Sequence, residues 1–439
     1  VIFTEPDAQS QGVRAGRQVL RFAAVNLKPC FLFLAASVLA ACSPDVSGPV
    51  KMAVLQWDPD TNGYGLEVVE VRTLEDLPSL RGEAATPIVG ASIVLDGRLN
   101  YVSTEKQFRD AVLDDPGTAA KAQFLEKDGV YWPSDFQSLS LASAYYGFER
   151  ARAYALARGV DPEALRGVPV YYFPSFRVNR DDRGKDNAAW YSSLRSFLLF
   201  RFEELQSIPL AMNQGVIAHE YGHGIFTAEV HGGAWNPDYV DRWCPVSCVD
   251  TAGPIMLSLL EEGFADVWAV ATTGDPRFIG HSLLEWEGRG RDLNYFDPKA
   301  HCWSQREFDE EIGYFARYFA GSREKAEHWG PRKYELGTVW ASALYGASKA
   351  PNTDLDRVVD ALRASYRSIG PRSLAAVVAE DPTGDSFGRL DTIASAIIAG
   401  APDDATRVAL CAVFQDRLSL TADALGAACS GVPSNGQCR

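Results

Sequence analysis

Long basic runs are missing from this 439-residue chain, and its formal net charge is −15. Nucleic-acid binding depends on clustered Lys and Arg neutralising phosphates, so that class of partner is a poor fit. The apolar run Phe31–Ala40 spans only ten residues, well short of the ~20 that a membrane-crossing helix needs. Internal repeats and low-complexity blocks are absent too, which excludes a solenoid or a long disordered tract. Cys244 and Cys248 have no matching Cys or His pair, which counts against a cysteine-built structural metal site. Histidine is scarce at six residues, so any ordered spacing among them carries information. What is plentiful is apolar side chain: 46% of residues are hydrophobic and 11% aromatic, ample for a large core.

The amino-terminal segment reads as an export signal. Basic residues up to Lys28 precede the short apolar run, which ends in Leu39-Ala40-Ala41-Cys42. Small residues followed directly by Cys resemble a bacterial lipobox, in which the thiol receives a lipid. The expectation is a signal over residues 1–41, with Val25 a candidate true start, then a lipidated tether over residues 42–49. Ser43 after Cys42 points by the same resemblance to an outer membrane. Six cysteines remain beyond the signal and the anchor: Cys244, Cys248, Cys302, Cys411, Cys429 and Cys438. An even number in an exported chain favours disulfides, whose pairing sequence does not choose.

Residues 50–135 read as strands and turns. Leu66–Val71 and Ala91–Leu95 are rich in β-branched residues, and Asn62-Gly63 and Asp96-Gly97 are turn signals. A long helix is expected over Leu139–Arg158, stopped by Gly159, then a strand over Val168–Phe173 and a polar loop from Asn179 to Lys185. Beyond Asn213 nearly everything reads as helix. The expected class is α+β, with a β-rich first part and a mostly helical region over residues 136–439 carrying the chemistry near their junction.

That chemistry centres on Ile217-Ala-His219-Glu220-Tyr-Gly-His223-Gly. Residues four apart share one helix face, so both imidazoles can reach one metal ion, while Glu220 projects from a neighbouring angle as a candidate general base. Downstream, Glu261-Glu262-Gly-Phe-Ala-Asp266 places a second pair of carboxylates four apart. Glu262 is the expected third ligand and Asp266 the acceptor that orients a ligand histidine, with an ordinary solvated acid left open for Glu261. Two imidazoles and a carboxylate suit one zinc ion better than magnesium or calcium.

These two segments together resemble the glutamate-zincins, and within them the thermolysin and fungalysin families. Asn187-Ala188-Ala189-Trp190 resembles the edge strand that lies along bound peptide there, which implies substrate contacts from Asn187 and Ala188. Gly337-Thr-Val-Trp-Ala-Ser-Ala-Leu-Tyr345 resembles a fungalysin helix near the active site, and the helix over Leu139–Tyr154 is placed like the one before the edge strand. Where that fungalysin helix carries an oxyanion-steadying His, this chain has Tyr334; Tyr239 is the other candidate donor. The resemblance implies a zincin-like fold and a zinc endopeptidase acting on peptide or protein. Two other functions compete: a zinc-binding lipoprotein of impaired turnover, and a zinc exopeptidase. Against the second, none of the three methionines precedes the Glu-Asn of the aminopeptidase motif.

Overall fold

The computed structural model describes residues 48–95, 104–160, 162–178, 181–203, 207–230, 252–283, 291–294, 302, 329–379 and 390–434. Eight short and two long strands come first: β1 (Val50–Asp58), β2 (Gly63–Val71), β3 (Leu74–Asp76), β4 (Arg81–Gly82), β5 (Thr86–Val89), β6 (Ser92–Leu95), β7 (Leu113–Asp115), β8 (Thr118–Ala119), β9 (Phe124–Lys127) and β10 (Val130–Pro133). Helix α1 (Glu105–Val112) interrupts them, a helix the strand-and-turn reading did not expect. Its phenylalanine and valine, Phe108 and Val112, are its buried residues, and Thr104 caps it by accepting from the Gln107 N–H. Helix α2 (Phe136–Ala157) follows, capped by Asp135 and stopped at Gly159, whose φ of +65° favours a residue without Cβ.

Strands continue well past the expected junction: β11 (Pro169–Tyr172), β12 (Ser175–Val178), β13 (Asp181–Asp182), β14 (Ala188–Tyr191) and β15 (Ser196–Leu199). Part of the segment read as a polar loop is therefore β13, which pairs with β12. Every described element after that is helical: α3 (Gln214–Glu229), α4 (Ala252–Thr273), α5 (Trp329–Ala347), α6 (Leu355–Ala379), α7 (Leu390–Ala399), α8 (Asp404–Arg417) and α9 (Ala422–Leu425), with short 3-10 turns between. The mixed α+β class holds.

Residues 50–135 do not make a sheet layer of their own. One four-stranded sheet, β2-β1-β10-β9, does belong to them, but β5 and β8 complete a five-stranded sheet in the order β14-β15-β11-β5-β8, and β6 and β7 join β13-β12. Both β5–β11 and β6–β12 pairings are parallel, so they link segments far apart in sequence. A single core cluster runs from Val50 in β1 to Cys429 at the far end, and a second, smaller one lies among β6, α1, β12 and β15. The β1–β2 hairpin also reaches the third helix: Tyr64 donates to Asn213 Oδ1 at 2.9 Å, and Gln214 donates to the Leu55 carbonyl at 3.2 Å. Cys411 and Cys429 form a disulfide, and Cys302 is also disulfide-bonded. Cys42, Cys244, Cys248 and Tyr239 lie outside the described residues.

A chain lacking residues 1–134 is expected to lose cooperative folding, because β11 and β12 each lose a parallel neighbour. Circular dichroism through a thermal melt checks this. A soluble fragment with a sharp transition would show that the first part is dispensable.

Candidate metal centre

Asn213 starts α3 by accepting hydrogen bonds from the Gly215 and Val216 N–H groups at 3.0 and 3.1 Å. Its amide also donates to the Phe278 carbonyl and Ser282 Oγ. With all its positions from Gln214 to Phe226 buried, α3 is an interior helix. Two helices close on it through small residues. A Cβ on Gly222 would lie 3.0 Å from Ala265 Cα, so α4 comes close at that point. On its other side, a Cβ on Gly337 of α5 would lie 2.9 Å from Glu262 Cβ and 3.0 Å from the Leu259 carbonyl oxygen. Only glycine permits that approach, and it fixes where Glu262 stands relative to the histidines.

The result is a convergence of three donor atoms. His219 Nε2 and His223 Nε2 are 3.1 Å apart, and Glu262 Oε2 is 3.5 Å from the first and 3.7 Å from the second. Four ligands at tetrahedral zinc, with bonds near 2.05 Å, stand about 3.3 Å from one another. The observed separations bracket that edge length, so these residues fit zinc. Each ring is oriented by a carboxylate: His219 Nδ1 lies 3.0 Å from Asp266 Oδ1, and His223 Nδ1 lies 3.0 Å from Glu261 Oε1. With the ring proton of each on Nδ1, facing its carboxylate, both Nε2 atoms would present lone pairs to one cation once it displaces any proton held there. Glu261, for which the sequence left an ordinary solvated role open, is thus a partner of His223.

No family model matches the chain, and no curated protein matches its sequence.

Charge explains the rest of the centre. Four carboxylates, from Glu220, Glu261, Glu262 and Asp266, crowd two imidazoles, and all but Glu261 are buried. Arg291, also buried, answers part of that charge. It donates to both oxygens of Asp266 and lies 3.7 Å from Glu262 Oε2. Its terminal nitrogen is 3.4 Å from both nitrogens of the His219 ring, a position beside the ring rather than along the Nε2 lone pair. Burial disfavours the Arg291 charge, but Asp266 and Glu262 outweigh it and hold the guanidinium above its ordinary pKa. Burial would raise Asp266, yet Arg291 and His219 keep its carboxyl below the usual range. For His219, burial and the Arg291 charge both favour neutrality, but hydrogen bonds to Asp266 and Glu262 win and raise it to about 9. A site that pulls a proton onto a buried imidazole is a site of negative potential, the property a cation requires. No spacing rule announced Arg291; it is recognised by the acids it faces.

Glu220 is buried beside this cluster, and its Oε2 accepts the Trp190 backbone N–H at 2.6 Å. Trp190 also donates its indole N–H to Thr227 Oγ1 of the same helix. Strand β14 is therefore docked against α3, and it is the terminal strand of its sheet, paired among the described residues only to β15. The sequence resemblance leads to the expectation of an edge strand here. The edge is there, but Ala188, Ala189 and Tyr191 are buried because the main core covers one face of β14 and the second core the other. Asn187 turns its Oδ1 onto the Ala188 N–H at 2.9 Å. Tyr334 does reach the centre: its ring lies under the Arg291 guanidinium at 4.9 Å. Burial first, and the Glu262 charge second, push its phenol well above the ordinary range, so it stays protonated and can donate. His281 belongs elsewhere, 3.0 Å from Asp275 and with its ring tilted against Trp57 at 4.7 Å.

Asp266→Asn is expected to weaken zinc binding by about 10–100-fold, the usual effect of losing a carboxylate behind a ligand histidine. Competition with a chromophoric chelator measures it, and an unchanged affinity would remove Asp266 from this role.

Proposed function

We propose that the chain is a zinc-dependent endopeptidase of zincin-like fold, lipidated at Cys42 and exported, with an outer-membrane address. The observation that carries the reading is the convergence of His219, His223 and Glu262 at tetrahedral edge distances, with Glu220 on the same helix. Zinc, when bound, supplies a Lewis acid that polarises a peptide carbonyl and makes water acidic near neutral pH. Everything else falls to the side chains. Glu220 is turned about 100° from His219 around the helix, which keeps it out of the ligand set and beside it. Its carboxylate takes the proton of the attacking water and hands it to the leaving amine, and the Trp190 N–H holds that carboxylate in place.

Tyr334 is the donor to the developing oxyanion, a role that a neutral buried phenol fills well. Peptide lies extended along β14. Because Trp190 points its N–H away from β15, the alternation of a strand puts the Ala188 and Trp190 carbonyls on that same outer row, where they accept from substrate amides. Asn187 borders the row. A second reading, a peptide-binding lipoprotein without turnover, draws on one observation: Tyr334 is packed against Arg291, and repositioning it disturbs a buried charge cluster.

Glu220→Gln is expected to keep about one zinc per chain by elemental analysis while hydrolysis of casein or a quenched peptide falls at least ~10²-fold, the lower end for loss of a general base. Near-native turnover by this variant would sink the mechanism. Tyr334→Phe is expected to lower kcat by about 10²–10³-fold with little change in KM, the pattern of a lost oxyanion donor. A native protein that binds zinc but cleaves nothing would favour the second reading.

A further inference from the structure

The four-stranded sheet β2-β1-β10-β9 has one face in the main core, through Val50, Met52, Val54, Val69, Val71 and Tyr131. Its register assembles the other face row by row. Glu70, Lys51, Val130 and Lys127 align in the first row, Val68, Ala53, Trp132 and Leu125 in the second, and Leu66 and Leu55 in the third. A covered end follows, where Trp57 and Tyr64 pack on His281. The second and third rows are wholly apolar, yet Leu66, Val68 and Leu125 are 53%, 44% and 66% exposed. Trp132, Val130 and Leu55 are half-buried beside them. Three of the seven exposed large hydrophobics among the described residues thus fall on this one face, so it is a patch rather than scatter.

The row at its border is chemically different. Lys51 and Lys127 are exposed there on the same face, next to the apolar rows and to a half-buried tryptophan. Aliphatic side chains to enter the acyl boundary, an indole at the headgroup level and lysines at the phosphates are the composition of a surface that lies on a bilayer. Chain connectivity agrees. Val50 opens β1 beside Lys51, eight residues after Cys42, a separation that spans at most about 29 Å when fully extended.

We propose that this face rests on the membrane and sets the orientation in which the chain is held. The proposal draws on the reading of Cys42 as a lipid anchor, but its surface is separate from that residue. The test uses the full chain reconstituted on vesicles of phosphatidylethanolamine and phosphatidylglycerol, with a nitroxide on Val68→Cys or, as the control, on the exposed Val408→Cys. Zinc content equal to the unsubstituted protein verifies that each variant is folded. The label at 68 is expected to be relaxed several-fold more by lipid-soluble oxygen than by a water-soluble nickel chelate, and the label at 408 the reverse. Both labels in water overturn the proposal while flotation with the vesicles leaves the anchor standing. A label at 68 shielded from both relaxants overturns it in favour of a protein partner. If Cys42→Ala floats as well as the unsubstituted chain and the label at 68 stays in lipid, the anchor falls and the face stands; if neither protein floats, both fall.

Discussion

Negative charge held out of water at the crossing of α3, α4 and α5 is the condition around which this molecule is arranged. Bringing three carboxylates and two imidazoles into a dry space is unfavourable unless every charge is answered. Arg291 answers part of it within the chain, bonded to Asp266 and close to Glu262. A buried pair of this kind is worth about 3–5 kcal/mol against loss of one partner, mostly because the survivor is stranded. The remaining charge is what makes the cluster attractive to a divalent cation.

Close helix packing follows from that condition. The His219, His223 and Glu262 atoms stand 3.1–3.7 Å from one another, and side chains of this size reach that separation only if the helices approach closely. Gly222 against Ala265, and Gly337 against Glu262 Cβ, provide the approach on both sides of α4. The β-rich part supports the same arrangement from the other end of α3. Tyr64 of β2 bonds Asn213, the residue that caps the helix carrying the histidines, as do Phe278 and Ser282 from the turn after α4. Trp190 ties the edge strand to Glu220 by one short hydrogen bond. Sheet, cap, Glu220 and the His219–His223–Glu262 cluster are therefore tied together by hydrogen bonds, and residues 50–135 share sheets with later strands.

Local features were legible in the sequence because their causes are local. The strand patterns of Leu66–Val71 and Ala91–Leu95 and the helix before Gly159 appear within a few residues of their expected bounds. Less legible was α1, whose eight residues hold only two buried apolar side chains, Phe108 and Val112, within a stretch otherwise made of short strands. The sequence leaves the burial of β14 open, since an apolar Ala-Ala-Trp-Tyr reads alike on an open edge and between two cores. The roles of Arg291 and Glu261 in the charge cluster are not legible from sequence either: what defines them is what they face.

By itself the sequence determined that His219 and His223 share a helix face, that Glu220 stands beside them, and that Glu262 and Asp266 repeat the four-residue interval. These follow from 3.6 residues per turn and need no neighbour. Only the tertiary structure decided that the two faces meet, that Glu261 takes the second histidine, that Arg291 closes the cluster, and that Tyr334 stands within it. Those contacts are made through space between segments tens of residues apart, and Coulomb attraction in a buried pocket depends on distance and dielectric, neither of which is written in the order of the residues.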